Sequence, residues 1–427
     1  MKFDAYEYTG VILPGAVVVL TACLLFPEVK DLLGKDGVSL GGLGVFVVAS
    51  FSVSHPPASR GNMPYEIDFH SVGNGSKSGD AISMRYFDAV TRSFRVIVVD
   101  GGYGETGQKL VEHIRLNYGT SYVDHVVSTH PDNDHISGLT SIMEELKVGH
   151  LWLHIPFMHS EAMLRYFLSS RWTLDGLRSR LCSEYPAVLN LIDLAGRQNT
   201  KIEGAFQGRQ IGPFTILSPS RHFYEGLLPQ FRDTPQEDRD ILAVLGQLIS
   251  GVGRRVTRQV LRIVPEDVYV ETLQEGGITA AENESSVVLG GVLDAGVILL
   301  SADAGILGLT AAADYADAIR LPLGSALKLF QVPHHGSRNN ISPTLLNRII
   351  GPMANLRSRA NTWCVVSAGP MDEAHPRQVV INALLRRGLE PASTREGSLL
   401  YVSGMPIRSG MKPLTYLPFS RRVEAYD

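Results

Sequence analysis

Cysteine is scarce in this chain: three residues in 427, Cys23, Cys182 and Cys364, far apart and odd in number. That argues against a disulfide framework and a thiolate zinc site, and it fits a reducing cytoplasm. A chain-wide basic field is missing as well, because 39 Lys and Arg face 43 Asp and Glu, for a net charge of −4. Nonspecific binding to long polyanions therefore lacks its usual driving force. The local basic cluster Arg254, Arg255, Arg258 and Arg262 has the spacing of a solvated helix face. There is no internal repeat, Walker motif or dinucleotide fingerprint; Gly73-Asn74-Gly75 and Gly101-Gly102 serve turns. What is present is a globular composition, 44% hydrophobic and 19% charged. The length suits two domains, or one large α/β domain with insertions.

The first sixty residues differ in kind. Tyr8 to Pro27 and Gly37 to Ser54 are uncharged runs of 20 and 18 residues, separated by a charged turn. Such runs are near the minimum for crossing a bilayer as helices. They predict a hydrophobic helical hairpin, a membrane anchor across residues 8–54, with a pair of buried soluble helices as the alternative. Asp4 and Glu7 near the start, and the second apolar run, speak against a cleaved signal peptide. Ser54 to Asn62 is a Pro/Ser/Gly linker, which sets a domain boundary at 62 and leaves 63–427 as the second domain.

From Met63 the pattern is strand-rich. Tyr65–Phe69, Asp80–Tyr86 and Arg95–Gly102 read as strands. Lys109–Tyr118 has helical periodicity, with Leu110, Ile114 and Tyr118 on one face. A short apolar strand, Val123–Ser128, then leads into Thr129-His130-Pro131-Asp132-Asn133-Asp134-His135. Two histidines and two aspartates within six positions, at the end of a buried strand, suit a divalent metal centre. A helix follows at about Leu139–Leu146, and alternating strands and helices imply a layered α/β fold. Residues of about 160–279 inform least and read as a partly helical insertion over the site.

Val98-Val99-Asp100-Gly101-Gly102, the Thr129–His135 loop, Ser301-Ala302-Asp303 and Pro333-His334-His335-Gly336-Ser337 together resemble the metallo-β-lactamase superfamily. Three further stretches resemble one subgroup, the hydrolase domain of bacterial DNA-uptake (competence) channels and its stand-alone relatives. They are the glycine-rich Ser71–Asp80, the Asn283-x-x-Ser286 strand, and His375-Pro376 with Gly397. The resemblance implies an αββα sandwich with a dinuclear site at one edge. It implies His130 and Asp132 on the first ion, Asp134, His135 and His334 on the second, and Asp303 bridging both. Asp100 would brace the loop, and His335 would stand behind the ligands rather than among them. Ser337 and Arg338, with His375 nearby, would contact substrate, and Asp134 or Asp303 would handle the proton.

Two departures accompany that likeness. Asp132 stands where the subgroup's parent family has a histidine, which shifts preference from zinc toward manganese, iron or magnesium. The histidine that usually ends the strand after the middle region is not in register in Phe214–Pro219; His222 and His154 are the nearest substitutes. The implied cofactor is a pair of divalent ions, zinc or manganese, and the implied chemistry is hydrolysis by a metal-activated hydroxide. A phosphodiester or nucleotide-type substrate leads, with esters, thioesters or lactams as the alternative and a noncatalytic binding module as the third. No protein partner is expected. The implied location is the bacterial cytoplasm, anchored to the inner membrane by the N-terminal segment.

Overall fold

A computed structural model describes residues 63–426, apart from 74, 166–171, 233, 235–261, 295 and 355–361. The expected hydrophobic hairpin lies outside the described residues. Among those residues no helix is long and apolar enough to cross a membrane.

Strands run β1 Tyr65–Phe69, β2 Ala81–Asp88, β3 Ser93–Gly101, β4 Tyr122–Val127, β5 Lys147–Leu153, β6 Lys201–Gly204, β7 Gln210–Ile211 and β8 Phe214–Ser218. They continue as β9 Ile263–Pro265, β10 Val288–Leu293, β11 Gly296–Leu300, β12 Leu327–Gln331, β13 Trp363–Val366, β14 Glu390–Ser393, β15 Leu399–Ser403 and β16 Arg422–Glu424. Two seven-stranded sheets result, ordered β15-β1-β2-β3-β4-β5-β6 and β14-β13-β12-β11-β10-β8-β7. The sheets share one plan: an antiparallel part, then four parallel strands, β3 to β6 in one and β11 to β14 in the other. The short pair β9 and β16 stands apart. Within the span read as an insertion, β6, β7 and β8 complete the two sheets, with the helices Leu174–Glu184 and Pro186–Gln198 before β6 and Arg221–Leu227 after β8. The Asn283-x-x-Ser286 stretch, read as a strand, is a helical turn, Ala281–Glu284, that feeds β10 from Val288.

Alternation along the central strands builds the layers. Val96 and Val98 of β3 pack outward with Leu110, Val111, Ile142 and Met143, from α1 (Gly104–His113) and a later helix, Leu139–Glu145. Ile97 and Val99 point the other way, into the inter-sheet core with Phe214, Leu289 and Ile298. On β11 the same alternation sends Val297 and Leu299 to the helices Ile306–Ala318 and Gln378–Arg386, and Ile298 and Leu300 inward. The result is the helix–sheet–sheet–helix sandwich that the sequence implied.

One close approach fixes the first half of the site. A Cβ on Gly138 would sit 1.9 Å from the Gly101 carbonyl oxygen, so only glycine lets this turn lie against the end of β3. Gly138 N–H donates to Gly102 O at 2.9 Å, tying the helix after Thr129–His135 to that strand.

Candidate metal centre

The parallel strands of both sheets deliver their C-terminal ends to one edge, where loops can converge. From the first sheet come Asp100, closing β3, and the Thr129–His135 loop after β4. From the second come Ser301-Ala302-Asp303 after β11 and Pro333-His334-His335 after β12.

Asp100 organises the loop. Its carboxylate accepts from Thr129 N (2.8 Å) and Thr129 Oγ1 (2.6 Å), and it pairs with His135 Nδ1 at 2.8 Å. With the proton on Nδ1, His135 turns Nε2 inward, 3.4 Å from Asp303 Oδ2. His130 Nδ1 lies 3.1 Å from Thr129 Oγ1 and 3.3 Å from Ser286 Oγ, which leaves its Nε2 3.9 Å from Asp303 Oδ2. His335 Nδ1 is satisfied by the Ser367 carbonyl at 2.9 Å, and its Nε2 stands 3.7 Å from Asp134 Oδ2 and 3.9 Å from Asp303 Oδ2.

Three groups have donor atoms close enough to share an ion: His130, His135 and Asp303; Asp134, His135 and His335; Asp80, Asp303 and His335. Within them the Nε2 atoms of His130, His135 and His335, Asp303 Oδ1 and Asp80 Oδ1 are buried without a hydrogen-bond partner. Orphaned acceptors at such density are costly in a dry interior unless a cation satisfies them. The donor set of imidazole and carboxylate suits a divalent metal.

The electrostatics agree. Burial alone would push His135 down, but Asp303, Asp100 and Asp134 outweigh it and hold this imidazole well above its ordinary range. His335 is raised to about 9, burial being overcome by Asp303 and Asp134. Asp303 is held well below the carboxylate range because His135, His334 and His335 outweigh its burial. Asp80 moves up, chiefly through burial. His130 moves down, through burial and then the neighbouring His135, so it stays neutral and able to donate a lone pair.

The expected residues fall unequally. His130, His135 and Asp303 bring donor atoms together in one group, and Asp134 joins His135 in a second. His334, expected as a ligand, is the more exposed of the pair, and His335, expected behind the ligands, is buried and brings a donor atom within reach of Asp134 and of Asp80 and Asp303. Both have left-handed backbones, at φ 46° and 55°. Asn340 Oδ1 holds His334 Nδ1 at 2.9 Å, and Asn283 Nδ2 approaches the same ring at 3.2 Å. Its Nε2 is still 3.7 Å from Asp303 Oδ2. Asp132, expected as a ligand, has both oxygens engaged by Arg232 Nη2, at 2.5 and 2.6 Å.

Arg338 is turned away from the site: it donates to Ala425 O at 2.6 Å and lies over the Tyr426 ring. Ser337 is buried and accepts from Asn339 N at 3.3 Å. His375 stacks on His334 with ring centres 5.8 Å apart, its Nδ1 3.2 Å from Asp372 Oδ2. Neither substitute histidine joins the group. His222 is exposed on the helix Arg221–Leu227. His154 is buried against Phe206 and Tyr224, its Nε2 2.9 Å from Ala205 O.

Residues 92–194 match the metallo-beta-lactamase superfamily. That superfamily span, roughly a quarter of the chain, holds Asp100 and the whole Thr129–His135 loop, whereas Asp80, Asp303 and His335 lie outside it. Among curated proteins, none matches the chain. The superfamily span and the His/Asp groups together support a metal-dependent hydrolase.

Three contributors escaped sequence reasoning. Asp80 closes the glycine-rich segment and could have been suspected from its place there; its backbone N–H donates to Asp134 O at 3.2 Å. Gln331, buried at the end of β12, donates to Asp80 Oδ2 at 2.9 Å and accepts from Ser301 N and Ala302 N at 3.1 Å. The Asn283-x-x-Ser286 motif was noticed but not assigned: its ends contact one histidine from each sheet, His334 and His130.

Proposed function

We propose that this protein is a metal-dependent phosphodiesterase acting on a short oligonucleotide, a nucleotide or a phosphodiester headgroup. The observation that carries the metal dependence is the convergence of three unpartnered histidine Nε2 atoms on the buried carboxylate of Asp303. Asp80, Asp134, His135, Asp303 and His335 would hold the metal, and His130 turns a free Nε2 toward the same carboxylate. Bound there, a divalent ion lowers the pKa of water and polarises a substrate oxygen.

The chain's own residues do the rest. Asp100 fixes the tautomer of His135, and Gln331 orients Asp80, so the donors are aimed in advance. Asp134 is the more open of the two candidate proton acceptors, its side chain 27% exposed against 4% for Asp303. It is therefore the one positioned to take a proton from attacking water and pass it to solvent. Arg232, at the mouth beside Asp132, offers a guanidinium to an anionic substrate oxygen. The acidic net charge favours short substrates over long DNA. Attachment to a bacterial inner membrane through residues 8–54, and kinship with competence-channel hydrolase domains, belong to the same proposal. They rest on the two uncharged runs and on the sequence motifs.

The test is hydrolysis of bis(p-nitrophenyl) phosphate by the full chain with added manganese or zinc, beside p-nitrophenyl acetate, a thioester and a chromogenic lactam. Diester turnover that disappears in Asp303→Asn supports the reading. Metal-dependent turnover of the esters or lactam alone would replace it with the acyl-hydrolase alternative.

A further inference from the structure

The two ends of the metal centre are unequally equipped. At one end Asp80, Asp134, His135, Asp303 and His335 crowd together within two of the three ion-competent groups. At the other end His130 is the one donor of its own, His135 and Asp303 are shared with the first end, and Asp132 is the remaining carboxylate, 4.0 Å from His130 Nε2. Asp132 already has a cation. Arg232 Nη2 donates to both of its oxygens, at 2.5 and 2.6 Å.

This arginine is anchored from behind. Glu282, buried at 2% exposure, accepts from Arg232 Nε at 3.1 Å and from Arg232 N at 2.5 Å through the same oxygen. Glu282 opens the helical turn whose end carries Ser286, a contact of His130. The guanidinium thus sits between two carboxylates, one at the metal centre and one beneath it, in a geometry that a solvated surface pair does not require. A metal ion using Asp132 would have to displace a permanent positive charge and would then face that charge at close range.

We propose that the centre holds one divalent ion, at the Asp80, Asp134, His135, Asp303 and His335 end, and that the guanidinium of Arg232 takes the place of a second ion beside His130 and Asp132. The inference rests on the metal-dependent reading of the same site and departs from the dinuclear pattern implied by the sequence. Arg232 then supplies a fixed positive charge, opposite the metal, for the second anionic oxygen of a phosphodiester. It also limits how much metal the protein takes up.

The test is metal stoichiometry and affinity on the full chain, with Zn²⁺ and Mn²⁺ as probes, by elemental analysis after dialysis and by titration calorimetry. Wild type should retain one ion per chain, and its Mn²⁺ electron paramagnetic resonance spectrum should be that of an isolated ion. Arg232→Met should bind a second ion at least about tenfold more tightly than wild type does, with the spectrum of a coupled pair. Arg232→Met combined with Asp132→Asn should return to one ion. Two equally tight ions in wild type, or a single ion in Arg232→Met, would overturn the proposal while leaving metal dependence intact. No metal in wild type, with Asp303→Asn unchanged from it, would overturn the metal reading and this inference together. Because the Arg232 side chain is 59% exposed, its replacement should leave the fold intact, which an unchanged thermal midpoint would verify.

Discussion

Two sets of histidines grow from the same two strands, and in the second His130 is shifted down, as His125 and His154 of the first are, while His135 moves up. His125 and His150 lie on β4 and β5, and His154 follows β5; His130 and His135 follow β4. His154 is enclosed by Phe206 and Tyr224, and burial pushes it down to about 3. His125 accepts from Trp152 Nε1 at 3.2 Å, faces His150, and is pushed down to about 4, first by burial. His135 is equally buried yet moves the other way, because Asp100, Asp134 and Asp303 surround it. Burial by itself makes a histidine neutral and inert. Burial against several carboxylates makes a group that demands a cation.

The largest break in that contrast comes from removing its carboxylate. Asp303→Asn should abolish metal retention and lower turnover by about a thousandfold or more, consistent with removal of a centre that supplies several kcal/mol of transition-state stabilisation. The circular dichroism spectrum should stay native; full metal content would refute the role of Asp303. Next, His335→Ala should weaken metal binding by about 10- to 100-fold and His334→Ala by clearly less, measured by competition with a chelator. The reverse order would restore the ligand assignment that the sequence suggested.

Smaller effects belong to the inert set. His154 is neutral in the folded protein and protonates near 6.5 when unfolded. Its contribution to stability is therefore present above pH 6.5 and is lost as pH falls from there toward 3. The expected loss is on the order of 4 to 5 kcal/mol across that window, and His154→Gln should flatten this part of the stability–pH curve while leaving metal content alone. A metal content that dropped with His154→Gln would erase the distinction between the two sets. His222→Ala, on an exposed helix face, should change neither stability nor metal content measurably, by thermal melts and elemental analysis.

Much of this was readable from residues in order. The sandwich follows from alternation on β3 and β11 and from motifs at strand ends, because those signals are local. The Thr129–His135 loop was legible for the same reason. The place of His335 among the donors was not, since its ring is set by Ser367, which the chain order does not place beside it. Arg232 was out of reach because it meets Asp132 across one hundred positions with no periodic pattern between them. Asp80 lay between these cases, inside a recognised motif but without a sign that its side chain points toward Asp303.

The donors are also widely spaced along the chain, from Asp80 through His130–His135 and Asp303 to His335, and this orders events during synthesis. A ribosome releases the chain from its N-terminus, so a nascent chain that ends before His335 has only a partial set of ligands. Val287 N–H must also reach Thr129 O, at 3.1 Å, before the second sheet can close over the first loop. Under the proposed metal-dependent reading, loading would be a late event that follows completed folding.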